Sequence, residues 1–130
     1  MTVKRLSLAC AAIVLLQGTV FAVYYNDLLY LRQPVTVIAA GPRDVFIQHA
    51  THALGRSKLT ARHLETVAEA AKSFQLNAIE VQALERRLKA VPDDEGIRLR
   101  LADALRRSGQ YDRAEHMYLE LLTGSPEESQ

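Results

Sequence analysis

Hydrophobic and polar positions change rhythm twice along the chain. From Leu6 to Asn26 no position is charged and nearly all are apolar. A run of about 20 apolar residues is long enough to cross a bilayer as a helix. Residues 32–42 are broken by Pro34 and by Gly41-Pro42, and the β-branched Val35-Thr36-Val37-Ile38 between them favours extended backbone. This stretch is predicted to be a connector lying on the folded domain. Beyond it, apolar residues recur at three- and four-residue steps, the helical period. Phe46, His49/Ala50 and Ala53/Leu54 mark a first face, entered through Pro42 and Asp44 and left at Gly55. Thr60 is a predicted N-cap for Leu64, Val67, Ala68 and Ala71. After a turn at Leu76-Asn77 come Ala78, Val81, Leu84 and Leu88. Pro92-Asp93-Asp94 breaks and restarts the chain for Leu101, Ala104 and Leu105. Ser108-Gly109 makes another turn, Ala114, Met117, Tyr118 and Leu121 form the last face, and Gly124-Ser125-Pro126 closes it.

Charge sharpens the division. Residues 1–40 carry only Lys4, Arg5, Asp27 and Arg32, while the other 27 of 31 charges lie beyond. The back part alone holds 13 basic and 14 acidic residues, a balance that gives no electrostatic reason to expect nucleic acid as a partner. With no Trp and few aromatics, the core must be built from Leu, Ala, Val and Ile, which favours packed helices over sheet. The single cysteine, Cys10, cannot form an internal disulfide and reads as a small apolar residue of the span.

Lys4 and Arg5 precede the apolar run, and Tyr24, Tyr25 and Tyr30 lie at or just beyond its end, where a ring suits the headgroup zone. The basic start predicts a cytoplasmic N-terminus, with the remaining chain across the membrane. Two readings stay open: a retained anchor over residues 6–27, or a signal peptide cut after Val20-Phe21-Ala22. The apolar character continues past that point through Val23, Tyr24 and Tyr25, which favours retention. A lipoprotein modified at Cys10 has too short an apolar stretch ahead of it, and a soluble core helix fits neither the basic start nor the aromatic end.

Pro92 and Pro126 stand 34 residues apart, each after a predicted helix pair. A 34-residue helix–turn–helix unit is the size of a tetratricopeptide repeat. Residues 95–128 resemble that family at Leu101, Ala102, Leu105, Gly109, Tyr111, Ala114, Tyr118 and Pro126. Ala102 and Ala114 let helices approach, Gly109 allows the tight turn, and Tyr111, Tyr118 and Leu121 are expected to fill the gap between helices. Residues 61–94 form a degenerate copy matching at Leu64, Val67, Ala68, Leu84 and Pro92, with Glu80 where the family has Ala and Gln75 where it often has Gly. The helix near 43–55 falls in register as half of an earlier unit. The family's early Trp is replaced by Arg98.

Together the apolar run and the resemblance give the expectation of an all-α protein: an N-terminal transmembrane helix followed by a short stack of helical hairpins, about five helices. The expected layout is a cytoplasmic N-terminus (1–5), an anchor or signal peptide (6–27), a linker (28–42), a helical domain (43–128) and a tail (129–130). Repeats of this kind bury their apolar faces only by stacking, and about three units are usually needed. With two and a half units and no evident polar cap, Met117, Leu121 and Leu122 are expected to stay open to a protein partner or to self-association. By register, the concave lining would include Arg62, Glu65, Glu69, Leu99, Asp103 and Arg106, a mixed-charge surface unlike a basic clamp.

Catalytic signatures are missing. Gly41 and Gly55 stand alone, so no phosphate-binding loop is formed, and no nucleophile elbow or paired-carboxylate motif occurs. His49 and His52 have a helical i, i+3 spacing that suits metal chelation, but no soft ligand accompanies them, and surface helical histidines are the plainer reading. The basic stretch from Arg86 to Arg107 is interleaved with Asp93, Asp94, Glu95 and Asp103 and reads as a solvated helical surface.

No enzyme activity, cofactor or metal is expected. The expected role is a membrane-tethered interaction scaffold at the bacterial inner membrane, with a periplasmic domain serving assembly of an envelope complex. Assembly factors for c-type cytochromes and exopolysaccharide secretion components have a similar plan. The alternative is a structural subunit whose anchor packs on other transmembrane helices through Gln17, Gly18 and Thr19.

Overall fold

The computed structural model of the chain describes residues 2–56 and 59–124, with side chains from Cys10 onward except at 23, 24 and 56. Among these residues there are seven helices and no strand: α1 (Thr2–Leu31), α2 (Val35–Ala40), α3 (Arg43–Arg56), α4 (Ala61–Ser73), α5 (Asn77–Ala90), α6 (Glu95–Arg107) and α7 (Tyr111–Thr123).

Helix α1 is long and apolar enough to cross a membrane between Cys10 and Leu31. Its described side chains up to Ala22 are exposed, whereas a helix in a soluble core would be covered on most sides. Its last turns enter the folded part, where Asp27 and Leu31 are buried and the helix packs on α3 and α4.

Helices α3 to α7 repeat at 34 residues in backbone detail. Helices α3, α5 and α7 begin at Arg43, Asn77 and Tyr111, and α4 and α6 begin at Ala61 and Glu95. Each of the latter pair is capped by the residue before it. Thr60 Oγ1 accepts from the His63 N–H, and Asp94 Oδ1 accepts from the Ile97 N–H at 2.9 Å. Each cap satisfies an otherwise orphan donor and contributes about 1 kcal/mol. The exits also correspond. Gln75 (φ 57°) and Gly109 (φ 80°) take the left-handed conformation. The next N–H then reaches back, from Leu76 to Ala71 O at 2.8 Å and from Gln110 to Leu105 O at 2.9 Å. This is the Schellman closure, which reverses the chain within three residues and lays α5 on α4 and α7 on α6.

The core follows the same period. Val67, Ala70 and Ala71 of α4 and Leu101, Ala104 and Leu105 of α6 are all buried. Phe46, Glu80 and Ala114, at successive 34-residue steps, are each buried as well. The large ring of Phe46 packs on Phe74, with centroids 5.3 Å apart. Glu80 is accommodated only because Arg107 Nη2 donates to both its oxygens at 2.7 Å.

Two expectations are corrected. The segment read as an extended connector is helical: α1 continues to Leu31, and Val35–Ala40 forms α2. Pro34 precedes its first turn, the Val37 and Ile38 N–H groups bond Pro34 O, and Ile38 is buried in the core as α2 packs on α4. Burial of Ile38 overrides the β preference of this short run. Tyr111 does not fill a gap between helices. It is 67% exposed, because it opens α7 on the side that no described helix covers.

Candidate functional site

Three surfaces carry the polar groups that the helices bring together. The first joins the apolar helix to the folded part. Asp27 is the only carboxylate in the first 43 residues, and α1 points it at α3. His49 Nδ1 lies 2.6 Å from Asp27 Oδ1, and His52 Nδ1 lies 3.9 Å from Oδ2. The Tyr30 ring, one turn beyond Asp27, stacks on the His49 ring at 4.3 Å between centroids. Its hydroxyl is buried without a hydrogen-bond partner among the described residues, so Tyr30 belongs to this junction and not to a headgroup-facing belt. The i, i+3 spacing of His49 and His52 thus serves one carboxylate. No group of three or more His, Cys, Asp or Glu among the described residues is placed to hold a metal.

The arrangement fixes α1 both along and around its axis. Asp27, Tyr30 and Leu31 lie on one helical face and are held by a hydrogen bond, a ring stack and core packing respectively. A membrane-length helix is thereby built into the domain without a loose tether between them.

The second surface runs along α4 and α6. Of the six residues expected to line it, Glu65 and Glu69 are drawn into an ion-pair network. Arg100 Nη1 donates to Glu65 Oε1 at 2.7 Å, Arg100 Nη2 donates to Glu69, and Arg87 pairs with the other Glu65 oxygen. These carboxylates bind α4 to α5 and α6. Asp103 accepts from the Tyr118 hydroxyl at 2.5 Å, tying α6 to α7 and raising the Tyr118 pKa, chiefly through that hydrogen bond. Arg62, Leu99 and Arg106 remain exposed. The sequence reading missed the cross-helix pairing, because Arg87 and Arg100 lie 22 and 35 positions from Glu65.

The third surface is the outer side of α7. Leu122 is 82% exposed and Leu119 53%, while Met117 and Leu121 are half-buried. Met117 joins Leu105, Asp112, Arg113 and His116 around a shallow groove. Pro126 lies outside the described residues, so its expected closing role has no structural counterpart here. Leu101, Ala102, Leu105 and Ala114 are buried, and Gly109 makes the turn.

Comparison with protein-family models, curated proteins and solved structures finds no match to this chain.

Proposed function

We propose that this chain is a membrane-anchored protein-interaction module on the tetratricopeptide-repeat plan, holding a protein partner beside the membrane during assembly of an envelope complex. The observation that supports it most is the joint occurrence of two features. One is a 34-residue period that extends to caps, left-handed exits and buried positions. The other is an apolar helix of membrane-spanning length locked into the same body through Asp27 and His49. A repeat of this size leaves helix faces open for a partner, and here Leu99, Tyr111, Leu119 and Leu122 are the large hydrophobic residues left exposed on α6 and α7.

In this reading α1 is retained, the N-terminus is cytoplasmic and the helical body is periplasmic. The reading assigns no reaction to the chain. Two experiments test it. Site-specific photocrosslinkers at Leu99, Leu122 and the exposed Gln82 of α5 are placed in the full chain in cells. Discrete protein adducts at Leu99 or Leu122, with none at Gln82, are expected; an identical pattern at all three positions would sink the proposal. Labelling a cysteine introduced at Glu115, in a Cys10→Ala background, with an impermeant maleimide checks which side the body occupies.

A further inference from the structure

Where α1 leaves its apolar stretch, a pocket of about 330 Å³ opens between α1 and α4. Tyr25, Leu28 and Leu29 line it from α1 and Arg32 from the turn directly after it, and Thr60, Arg62 and His63 line it from the start of α4. The four residues from Tyr25 to Arg32 follow i, i+3, i+4, i+7 spacing, and the Arg32 N–H still bonds Leu28 O, so they form one stripe about 10 Å long. That stripe passes from an exposed aromatic ring and two leucines to a guanidinium.

Arg32 and Arg62 are the two arginines that line this pocket, and like Arg43 and Arg106 they make no ion pair among the described residues. Arg87, Arg98, Arg100, Arg107 and Arg113 each pair with a carboxylate. Glu65, one turn beyond Arg62 on α4, is engaged by Arg87 and Arg100. Asp27 faces α3 and is engaged by His49. Both guanidiniums line the pocket together with His63, and burial first, then their charges, hold His63 below its ordinary pKa. Two cations in one pocket, with no acidic residue among the described residues that line it, call for an anion of matching size. A phosphate group suits forked guanidinium donors best.

The pocket's place selects the source of that phosphate. Its apolar wall is the last two turns of the helix that is long enough to cross a membrane, and its cationic end comes immediately after Leu31. We propose that this pocket binds the phosphate-bearing headgroup of an anionic phospholipid, with Arg32 and Arg62 on the phosphate and the acyl chains along Leu28, Leu29 and Tyr25. This proposal rests on α1 being retained in the bilayer. Bound lipid here would set the depth and tilt of the body at the membrane surface.

The test uses the full chain purified in mild detergent. Native mass spectrometry reads lipid retention after addition of phosphatidylglycerol or phosphatidylcholine, each with and without millimolar inorganic phosphate. Retention of phosphatidylglycerol at least about fivefold above phosphatidylcholine is expected, with the preference lost in an Arg32→Gln, Arg62→Gln double variant. A charge-matched control, Lys72→Gln with Lys89→Gln, changes exposed lysines elsewhere and keeps the preference. Circular dichroism establishes that both variants stay helical. Equal retention of the two lipids overturns the proposal, as does a preference that survives the double variant. Displacement by inorganic phosphate alone reassigns the site to free phosphate and also overturns it. Alkaline extraction of membranes separates the two readings: a chain released by alkali refutes the anchor itself, whereas a retained chain without lipid preference refutes only the pocket.

Discussion

Asp27 of α1 and His49 of α3 are 22 residues apart in sequence and 2.6 Å apart in space, both largely buried. This contact joins the membrane-length helix to the helical body. Removing His49 strands a buried carboxylate, so His49→Ala is expected to destabilise the full chain by about 2 kcal/mol. Asp27→Asn keeps a hydrogen-bonding side chain and should cost less, about 1 kcal/mol. Chemical denaturation in mild detergent measures both. Equal, negligible losses would mean that Tyr30 stacking and Leu31 packing hold the junction alone.

Glu80 and Arg107 make a second long-range pair, with the carboxylate fully buried and the guanidinium one-third exposed. Arg107→Ala leaves the buried charge unpaired and should cost about 3 kcal/mol, slightly discounted for the exposure of the arginine. Ala already occupies the equivalent buried position at 114, so adding Glu80→Ala should recover part of that loss. A double-mutant cycle on urea unfolding reads the coupling, and strict additivity would contradict the ion-pair account.

The two left-handed exits predict opposite responses to substitution. Gln75 adopts φ 57° with a side chain, and Gln75→Gly should stabilise by about 1 kcal/mol. Gly109 adopts φ 80° with open space around its Cβ position, so Gly109→Ala should lose about 1 kcal/mol from backbone strain alone. Thermal midpoints of the two variants, moving in opposite directions, check this.

His63 carries a pH dependence. Burial and the charges of Arg32 and Arg62 lower its pKa, so the folded chain binds this proton less readily than the unfolded chain does. The contribution of His63 is therefore most favourable above about pH 6.5, declines as pH drops through that value, and levels off below the folded pKa. His63→Asn should flatten that part of the stability–pH curve relative to the native chain. An unchanged acid slope would show that the titration arises elsewhere.

Tyr118→Phe removes the hydroxyl that Asp103 accepts from and should cost about 1 kcal/mol, read as faster exchange of amides in α7.

Much of this was visible in the chain itself. Thr60, Pro92-Asp93-Asp94 and Ser108-Gly109 marked helix ends that the structure places within one or two residues, because capping is a local interaction. The apolar run up to Asn26 marked the body of α1 for the same reason: length and composition decide whether a segment suits a bilayer. Val35–Ala40 was misread because its strand preference is weak beside the burial of Ile38, which depends on α4.

The candidate sites were less legible. Asp27 appeared as the edge of an apolar run, and His49 and His52 as a chelating pair. Their meeting requires α1 to lie on α3. Likewise Glu65, Glu69 and Arg100 share one network only once α4 and α6 are side by side. The sequence by itself determined an all-helical chain, its 34-residue period and the one segment apolar enough for a membrane, since each is set by neighbours within a turn or two. Only the tertiary structure decided which charges pair across helices and which line the pocket at the end of α1. Charges find partners across distances that periodicity does not encode, and their pairing is settled when helices pack.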